Sequence, residues 1–141
     1  MIFKRIHFTG KRRKAKLLKL DIATKKAIEL LQKGEKLALA YNENGYWLNF
    51  SGGKDSQVIY HLAKMAKVKF TSHFNLTSVD YPEVLKFIKS QYPDVIWHRP
   101  PKGMFKLIKK KGFLPTPIFR YCCDYLKKGM NSKIGKGYVH I

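Results

Sequence analysis

Acidic residues and cysteine are scarce in this sequence, and it contains no long apolar run. Its 141 residues include nine Asp and Glu against 29 Lys and Arg, which gives a formal net charge of +20. No apolar stretch approaches the roughly 20 residues that cross a bilayer. The basic N-terminus is not followed by an apolar segment with a small-residue cleavage site. The sequence therefore predicts a cytoplasmic protein with no membrane partner.

The only two cysteines, Cys122 and Cys123, are adjacent. Neighbouring cysteines rarely bridge each other without strain, so a disulfide framework is not expected. An iron–sulfur cluster ordinarily takes four cysteine ligands, so we expect no cluster in the monomer and no protein metal site. The two residues are either buried packing residues or a site of thiol chemistry, in which basic neighbours activate one thiolate.

The excess of basic residues predicts attraction to polyanions such as nucleotides, tRNA or DNA, with a merely solvated lysine-rich surface as the alternative. Eight basic residues and no acidic residue lie between Lys4 and Lys19. We interpret residues 1–20 as a basic N-terminal arm, for which a solvated tail is the other interpretation. Residues 21–141 are interpreted as one α/β domain.

The apolar patterns predict helices and strands in alternation. A helix is expected from Ile22 to about Gly34, and a second short helix is favoured over a strand at 37–41. Asp80 is predicted to be the N-cap of a later helix, with Pro82 in its first turn. Strands are expected at 46–50, 68–76 and 94–98, helical stripes at 58–66, 84–88, 104–110 and 119–127, and the start of a fourth strand near Gly137. This alternation predicts a parallel sheet with flanking helices.

The segment from Phe50 to Ser56 joins the first predicted strand to the helix that follows it. Two glycines permit a tight turn with outward N–H groups, while the helix dipole and one lysine add positive charge. This pattern predicts a cradle for phosphate or sulfate, with an ordinary glycine-rich turn as the alternative. The predicted cradle consists of Ser51, Gly52, Gly53, Lys54, Asp55 and Ser56.

The segment SGGKDS at 51–56 resembles the SGGxDS loop of the PP-loop ATP pyrophosphatase superfamily. Later segments extend the similarity to the phosphoadenosine phosphosulfate (PAPS) reductase family of that superfamily: TSVDYPE at 77–83, YPDV at 92–95 leading to Arg99-Pro100, and RYCCDYLK at 120–127. The resemblance covers about Ile22 to Lys128. It implies ATP or PAPS bound across the carboxyl ends of the strands, with the loop on its phosphate or sulfate groups. It also implies that Asp80 lies near the nucleotide or a Mg²⁺ ion, and that Arg120 and Lys127 bind anionic oxygens.

The sequence departs from that family at its cysteines. PAPS reductases of this kind use a cysteine in a C-terminal Glu-Cys-Gly segment, and cluster-carrying relatives pair Cys-Cys with a later Cys-x-x-Cys. Neither motif is present. In the family, the strand after the Leu-Lys motif leads into a loop that completes the site. The domain is therefore expected to be C-terminally short, which leaves room for a homodimer or a complementing subunit.

Two functions of different classes follow from these observations. The resemblance implies a nucleotide-binding protein of sulfur metabolism, acting in sulfonucleotide reduction or in ATP-dependent sulfur transfer to a nucleic acid. Whether the chain is itself an enzyme stays open, because the family's C-terminal catalytic cysteine segment is missing. The alternative is a non-catalytic basic module that binds nucleic acid or a partner on a truncated nucleotide fold.

Overall fold

The structure is a computed structural model that describes the backbone of residues 10–141 and the side-chain environments from residue 19 onward. Residues 1–9 of the predicted basic arm lie outside the described residues. Residues 10–20 belong to the first helix, α1, which runs from Gly10 to Tyr41. None of the described helices is long and apolar enough to span a membrane.

Helix α1 continues through Gly34, so the prediction that it ends there was wrong. The position needs glycine for packing: a Cβ at Gly34 would collide with the hydroxyl of Tyr46. That hydroxyl donates a hydrogen bond of 2.8 Å to the carbonyl of Leu31 one turn earlier. The residues after Gly34 are helical, as favoured, and Ala38 in this last part of α1 is fully buried.

A four-stranded parallel sheet forms the centre of the fold, as the alternating pattern predicted. Its strand order is β3-β2-β1-β4, so the chain leaves β1 to one side for β2 and β3 and returns to the other side for β4. The strands and the two helices between the first three strands are β1 (Tyr46–Asn49), α2 (Lys54–Ala66), β2 (Phe70–Asn75), α3 (Pro82–Gln91), β3 (Ile96–His98) and β4 (Val139–His140).

Between β3 and β4 the chain forms short helices, α4 (Met104–Lys111), α5 (Tyr121–Cys123) and α6 (Gly129–Ile134). Residues Asp124–Lys128, between α5 and α6, form a π-helical turn. A π-turn inside a helical segment is rare and is often found at functional sites.

The two faces of the sheet have different chemistry, because side chains alternate along each strand. On one face Leu48 and Phe50 pack against Tyr60 of α2 and Ile88 of α3 to form the main core. Trp47, on the opposite face, is 2% exposed and stacks on a histidine instead. The loop after β1 therefore begins between an apolar layer and a polar one.

Candidate functional site

The loop between β1 and α2 contains a glycine that no other residue replaces easily. Gly52 has φ +75°, in the left-handed region that favours glycine. A Cβ at this position would also lie 3.0 Å from Cδ1 of Ile88 in the core. Backbone conformation and close packing against α3 thus both require Gly52, and they fix the path of the loop over the end of the sheet.

Hydrogen bonds of Ser51 and Ser56 fix the conformation of the loop. The buried Ser56 hydroxyl donates 2.9 Å to the carbonyl of Gly53 and accepts from the backbone N–H of Ser51 at 3.3 Å. The hydroxyls of Ser51 and Ser56 are 3.2 Å apart. Ser56 therefore positions the loop, whereas Ser51, which is exposed, lines the cleft described below.

The N-terminus of α2 is open to a ligand. Gly53 is its N-cap and supplies no side chain to satisfy the first N–H groups, which an α-helix leaves unpaired. The side chains of Lys54 and Asp55 in this first turn are exposed. Within the described residues, no carboxylate forms an ion pair with Lys54. Unpaired N–H groups, the helix dipole and a lysine are the components of an anion site.

A cleft of about 140 Å³ lies beside this loop, at the carboxyl ends of β1 and β2. It brings together three residues that the sequence singled out, namely Ser51, Asp80 and Lys127, from segments far apart in the chain. Open α/β sheets bind ligands at this edge, where neighbouring connections leave in opposite directions, and in this sheet they do so at β1. The remaining lining residues are Asn49, Phe50, His73, Phe74, Asn75, Thr77 and Asn131.

Asp80 is not the N-cap of α3, so that prediction was wrong, although Pro82 does begin the helix. The N-cap is Tyr81, in an extended conformation without a side-chain cap. The carboxylate of Asp80 instead turns back to Thr77, accepting 2.7 Å from its backbone N–H and 2.9 Å from its hydroxyl. These two bonds fix the carboxylate where it lines the cleft.

Arg120 does not line this cleft but contacts Cys123 of the cysteine pair. Its guanidinium nitrogen Nη2 lies 3.8 Å from Sγ of Cys123, which is 3.9 Å from Sγ of Cys122. Hydrogen bonding from Arg120, and secondarily from Cys122, lowers the pKa of the Cys123 thiol, and Lys127 adds to this. Both cysteines line a cavity of about 180 Å³. Thr77 and Lys127 line this cavity as well as the cleft, so the two spaces adjoin.

Sequence reasoning missed the amide pair that crosses the cleft. Asn75, the last residue of β2, donates 2.6 Å to Oδ1 of Asn131 in α6. The Oδ1 atom of Asn75 is buried and has no hydrogen-bond partner among the described residues. A polar residue at the carboxyl end of a predicted strand was the available signal for Asn75. Nothing local marks Asn131, which reaches the site only through the fold.

His73 was also missed, and it forms an uncharged aromatic part of the cleft. Its ring stacks on Trp47 with a centroid distance of 3.3 Å. Its ring nitrogens lie 2.8 Å from Nε2 of His98 and 2.8 Å from the hydroxyl of Thr71. Burial, with a contribution from His98 and His140, lowers the pKa of His73 to about 4. The imidazole is therefore neutral at pH 7 and presents no charge to a ligand.

A larger cavity of about 550 Å³ lies elsewhere, between the end of β3 and the segment from α5 to α6. Its lining includes Pro100, Leu107 and Met130 and is largely apolar. It contains none of the loop residues at 51–56. We assign the candidate site to the smaller cleft, because that cleft joins the loop to a fixed carboxylate and a lysine.

The described residues contain no group of three or more His, Cys, Asp or Glu side chains that would hold a metal ion. Asp80 is nevertheless suited to a Mg²⁺ ion that arrives with phosphates, since Mg²⁺ is commonly bound by one or two carboxylates together with substrate phosphates. Comparison with protein-family models, curated proteins and solved structures finds no match. The described chain is an α/β protein with a four-stranded parallel sheet and flanking helices, in a Rossmann-like arrangement.

Proposed function

We propose that this protein binds an adenine nucleotide or sulfonucleotide, ATP or PAPS, through the 51–56 loop. The observation that carries the proposal is the position of this loop at the carboxyl end of β1, where the chain connections leave the sheet in opposite directions. There Gly52 has a positive φ and the N-terminus of α2 is open. This geometry supports the PP-loop identity that the SGGKDS segment suggests. A glycine-rich turn without a ligand would not need Asp80 and Lys127 beside it in one cleft.

The size of the cleft indicates which part of the ligand it takes. Whole-ligand pockets are usually about 300–1,000 Å³, whereas this cleft measures about 140 Å³. We infer that it takes the anionic end of the ligand, with phosphate or sulfate oxygens reaching past Ser51 to the N–H groups and Lys54 of the first turn of α2. The adjoining cavity beside Lys127 gives room for further groups of the ligand.

Each polar group has a separate task in this proposal. Lys127 neutralises charge from the wall of the cleft, Lys54 does so from the first turn of α2, and Ser51 donates a hydroxyl hydrogen bond. Asp80, held by Thr77, would bind a Mg²⁺ ion carried by the phosphates. The Oδ1 atom of Asn75 is buried without a hydrogen-bond partner in the described part of the chain, which destabilises the unliganded protein. In the complex it accepts a hydrogen bond from a ligand hydroxyl or amine.

The reaction class we propose is sulfonucleotide reduction or ATP-dependent sulfur transfer, as in PAPS reductase-like PP-loop proteins. The chain's own contribution would be positioning and charge neutralisation at the phosphates. The arrangement of Cys123 next to the cleft is compatible with either reaction, since both move sulfur. Sulfur transfer from ATP-activated substrates makes the smaller demand on the chain, because it does not require the C-terminal cysteine of the reductases.

Calorimetric titration with ATP and PAPS tests the binding step. Lys54→Ala is expected to weaken binding about tenfold, or ~1.4 kcal/mol, because one charge-assisted phosphate contact is lost. The control is Lys25→Ala, which removes an equal charge from the exposed surface of α1, outside the cleft. Equal affinity of the wild-type protein and Lys54→Ala, or an equal loss in both variants, would contradict the proposal.

A further inference from the structure

The adjacent cysteines form a second reactive feature beside the nucleotide cleft. Both thiols are half-buried and line the same cavity, whose wall also includes Lys127. Arg120 contacts only Cys123 of the two. The pair therefore combines access to a small molecule, a guanidinium at one sulfur and a second cation within the cavity wall.

The backbone prevents the two thiols from oxidising to each other. Cys123 has φ −66° and ψ −39°, and it ends α5 just before the π-helical turn. A disulfide between adjacent residues needs a non-helical backbone, and the sulfurs are 3.9 Å apart against about 2.05 Å in a disulfide. Disulfide formation at this site must therefore involve an external sulfur.

The charges around Sγ of Cys123 determine which disulfides react with it. Arg120 and Lys127 favour the thiolate of Cys123 and attract a negatively charged reagent. Asp124 is the acidic residue nearest in sequence, and it forms an ion pair with Lys128, which compensates its charge. A small anionic disulfide thus meets a net positive surface, whereas a neutral disulfide gains nothing from it.

We propose that Cys123 is a site of thiol–disulfide exchange with small anionic disulfides of the glutathione class. The Cys123 thiolate attacks one sulfur of the disulfide, a new sulfur–sulfur bond forms as the old one breaks, and the other half leaves as a thiolate. The disulfide is the oxidant, and the product is a mixed disulfide on Cys123. The carboxylates of the glutathione half that is attached to Cys123 then occupy the cavity beside Lys127.

This modification has a consequence for the cleft, which rests on the proposed nucleotide function. Lys127 and Thr77 line both spaces, so an anionic group on Cys123 neutralises a lysine that the nucleotide would use. The modified protein is therefore expected to bind ATP more weakly than the reduced protein. The cysteine pair would act as a redox control on the nucleotide site.

Exchange with glutathione disulfide, followed by mass spectrometry, tests the chemistry without reference to nucleotide. We expect one glutathione on the wild-type protein and on Cys122→Ser, and none on Cys123→Ser. Glutathione disulfide should react faster than neutral hydroxyethyl disulfide at low salt. Modification of Cys123→Ser at the wild-type rate, or equal rates for the two disulfides, would overturn the proposal.

Arg120→Gln keeps Cys123 in place and so tests the same point if the serine variant fails to fold. We expect its exchange with glutathione disulfide at pH 7 to slow severalfold, and the midpoint of its alkylation by iodoacetamide to move to higher pH. An unchanged midpoint would contradict the role of Arg120.

To test whether the modification weakens nucleotide binding, ATP affinity is compared before and after glutathione is attached to Cys123. Unchanged affinity overturns the coupling, whereas no ATP binding by the reduced protein overturns the proposed function and leaves the exchange result standing.

Discussion

Gly52 and Gly53 are neighbours, but they need to be glycine to different degrees. A Cβ at Gly52 would be strained by φ +75° and would lie 3.0 Å from Ile88, whereas at Gly53 it would meet only the Ser51 hydroxyl at 3.4 Å. We expect Gly52→Ala to lower the free energy of unfolding by about 1–2 kcal/mol, the cost of a left-handed conformation. Gly53→Ala should stay within about 0.5 kcal/mol. Urea unfolding measures both, and equal losses would contradict the assigned loop geometry.

His73 couples the stability of the sheet to pH. The folded protein keeps its pKa at about 4, below the ordinary value of 6.5 that applies after unfolding. The unfolded chain therefore binds more protons between these values. The stabilisation from a neutral His73 is complete above about pH 6.5 and is lost as pH falls towards 4.

Urea titrations at several pH values between 4 and 7.5 measure this dependence. His73→Gln should reduce it, because the substituted residue does not titrate, while His98, whose pKa burial also lowers, keeps a part of it. His61→Gln serves as the control, since His61 lies on α2 and outside the cluster of His73 and His98. An undiminished pH dependence in His73→Gln would show that another group is responsible.

At the scale of whole elements, the sequence predicted those parts of the fold that depend on local pattern. The β1–loop–α2 unit could be recognised because an apolar strand, two glycines and an amphipathic stripe lie next to one another. The sequence predicted that α1 ends at Gly34, because a glycine after a helical stripe usually marks a C-terminus. Its actual reason, room for the hydroxyl of Tyr46, is a contact between elements that no local pattern contains.

The difference between local pattern and contacts between elements also explains which site residues the sequence predicted. The 51–56 loop, Asp80 and Lys127 were predicted as site residues, and the structure brings Ser51, Asp80 and Lys127 together at the cleft. Asp80 was taken for a helix cap because it precedes Pro82, yet Thr77 offers it two donors at once. The Asn75–Asn131 bond joins residues 56 positions apart, so only the packing of α6 against the end of β2 reveals it.

The π-helical turn is the element that sets the position of Lys127 and Cys123. Gly129 donates its N–H to the carbonyl of Asp124, and a Cβ at Gly129 would lie 2.6 Å from that oxygen. Gly129→Ala should therefore cost about 1–3 kcal/mol of stability through overpacking, or force the turn into another geometry. ATP affinity and the alkylation rate of Cys123 should both change. Ser90→Ala, at an exposed position of α3 outside the π-helical turn and the cleft, is the control and should alter neither.

For the molecule as a whole, the question is whether its charge or its loop determines what it binds. The sequence carries a formal charge of +20, and only two ion pairs occur among the described residues, Lys64–Asp94 and Lys128–Asp124. Most of the positive charge is therefore uncompensated. Such a surface binds any polyanion through counterion release, without needing a particular site.

Salt dependence separates this general attraction from nucleotide binding. A tRNA or single-stranded DNA probe should bind with a logarithmic affinity that falls steeply with the logarithm of salt concentration. Lys54→Ala should change that slope by about one at most, because it removes a single contact among many. The same substitution should weaken ATP binding about tenfold at physiological salt, because it removes one phosphate contact from a site with few. If Lys54→Ala left ATP binding intact and altered only the binding of nucleic acid, the loop would be part of a polyanion surface, and a basic nucleic-acid-binding module would be the better account of this protein.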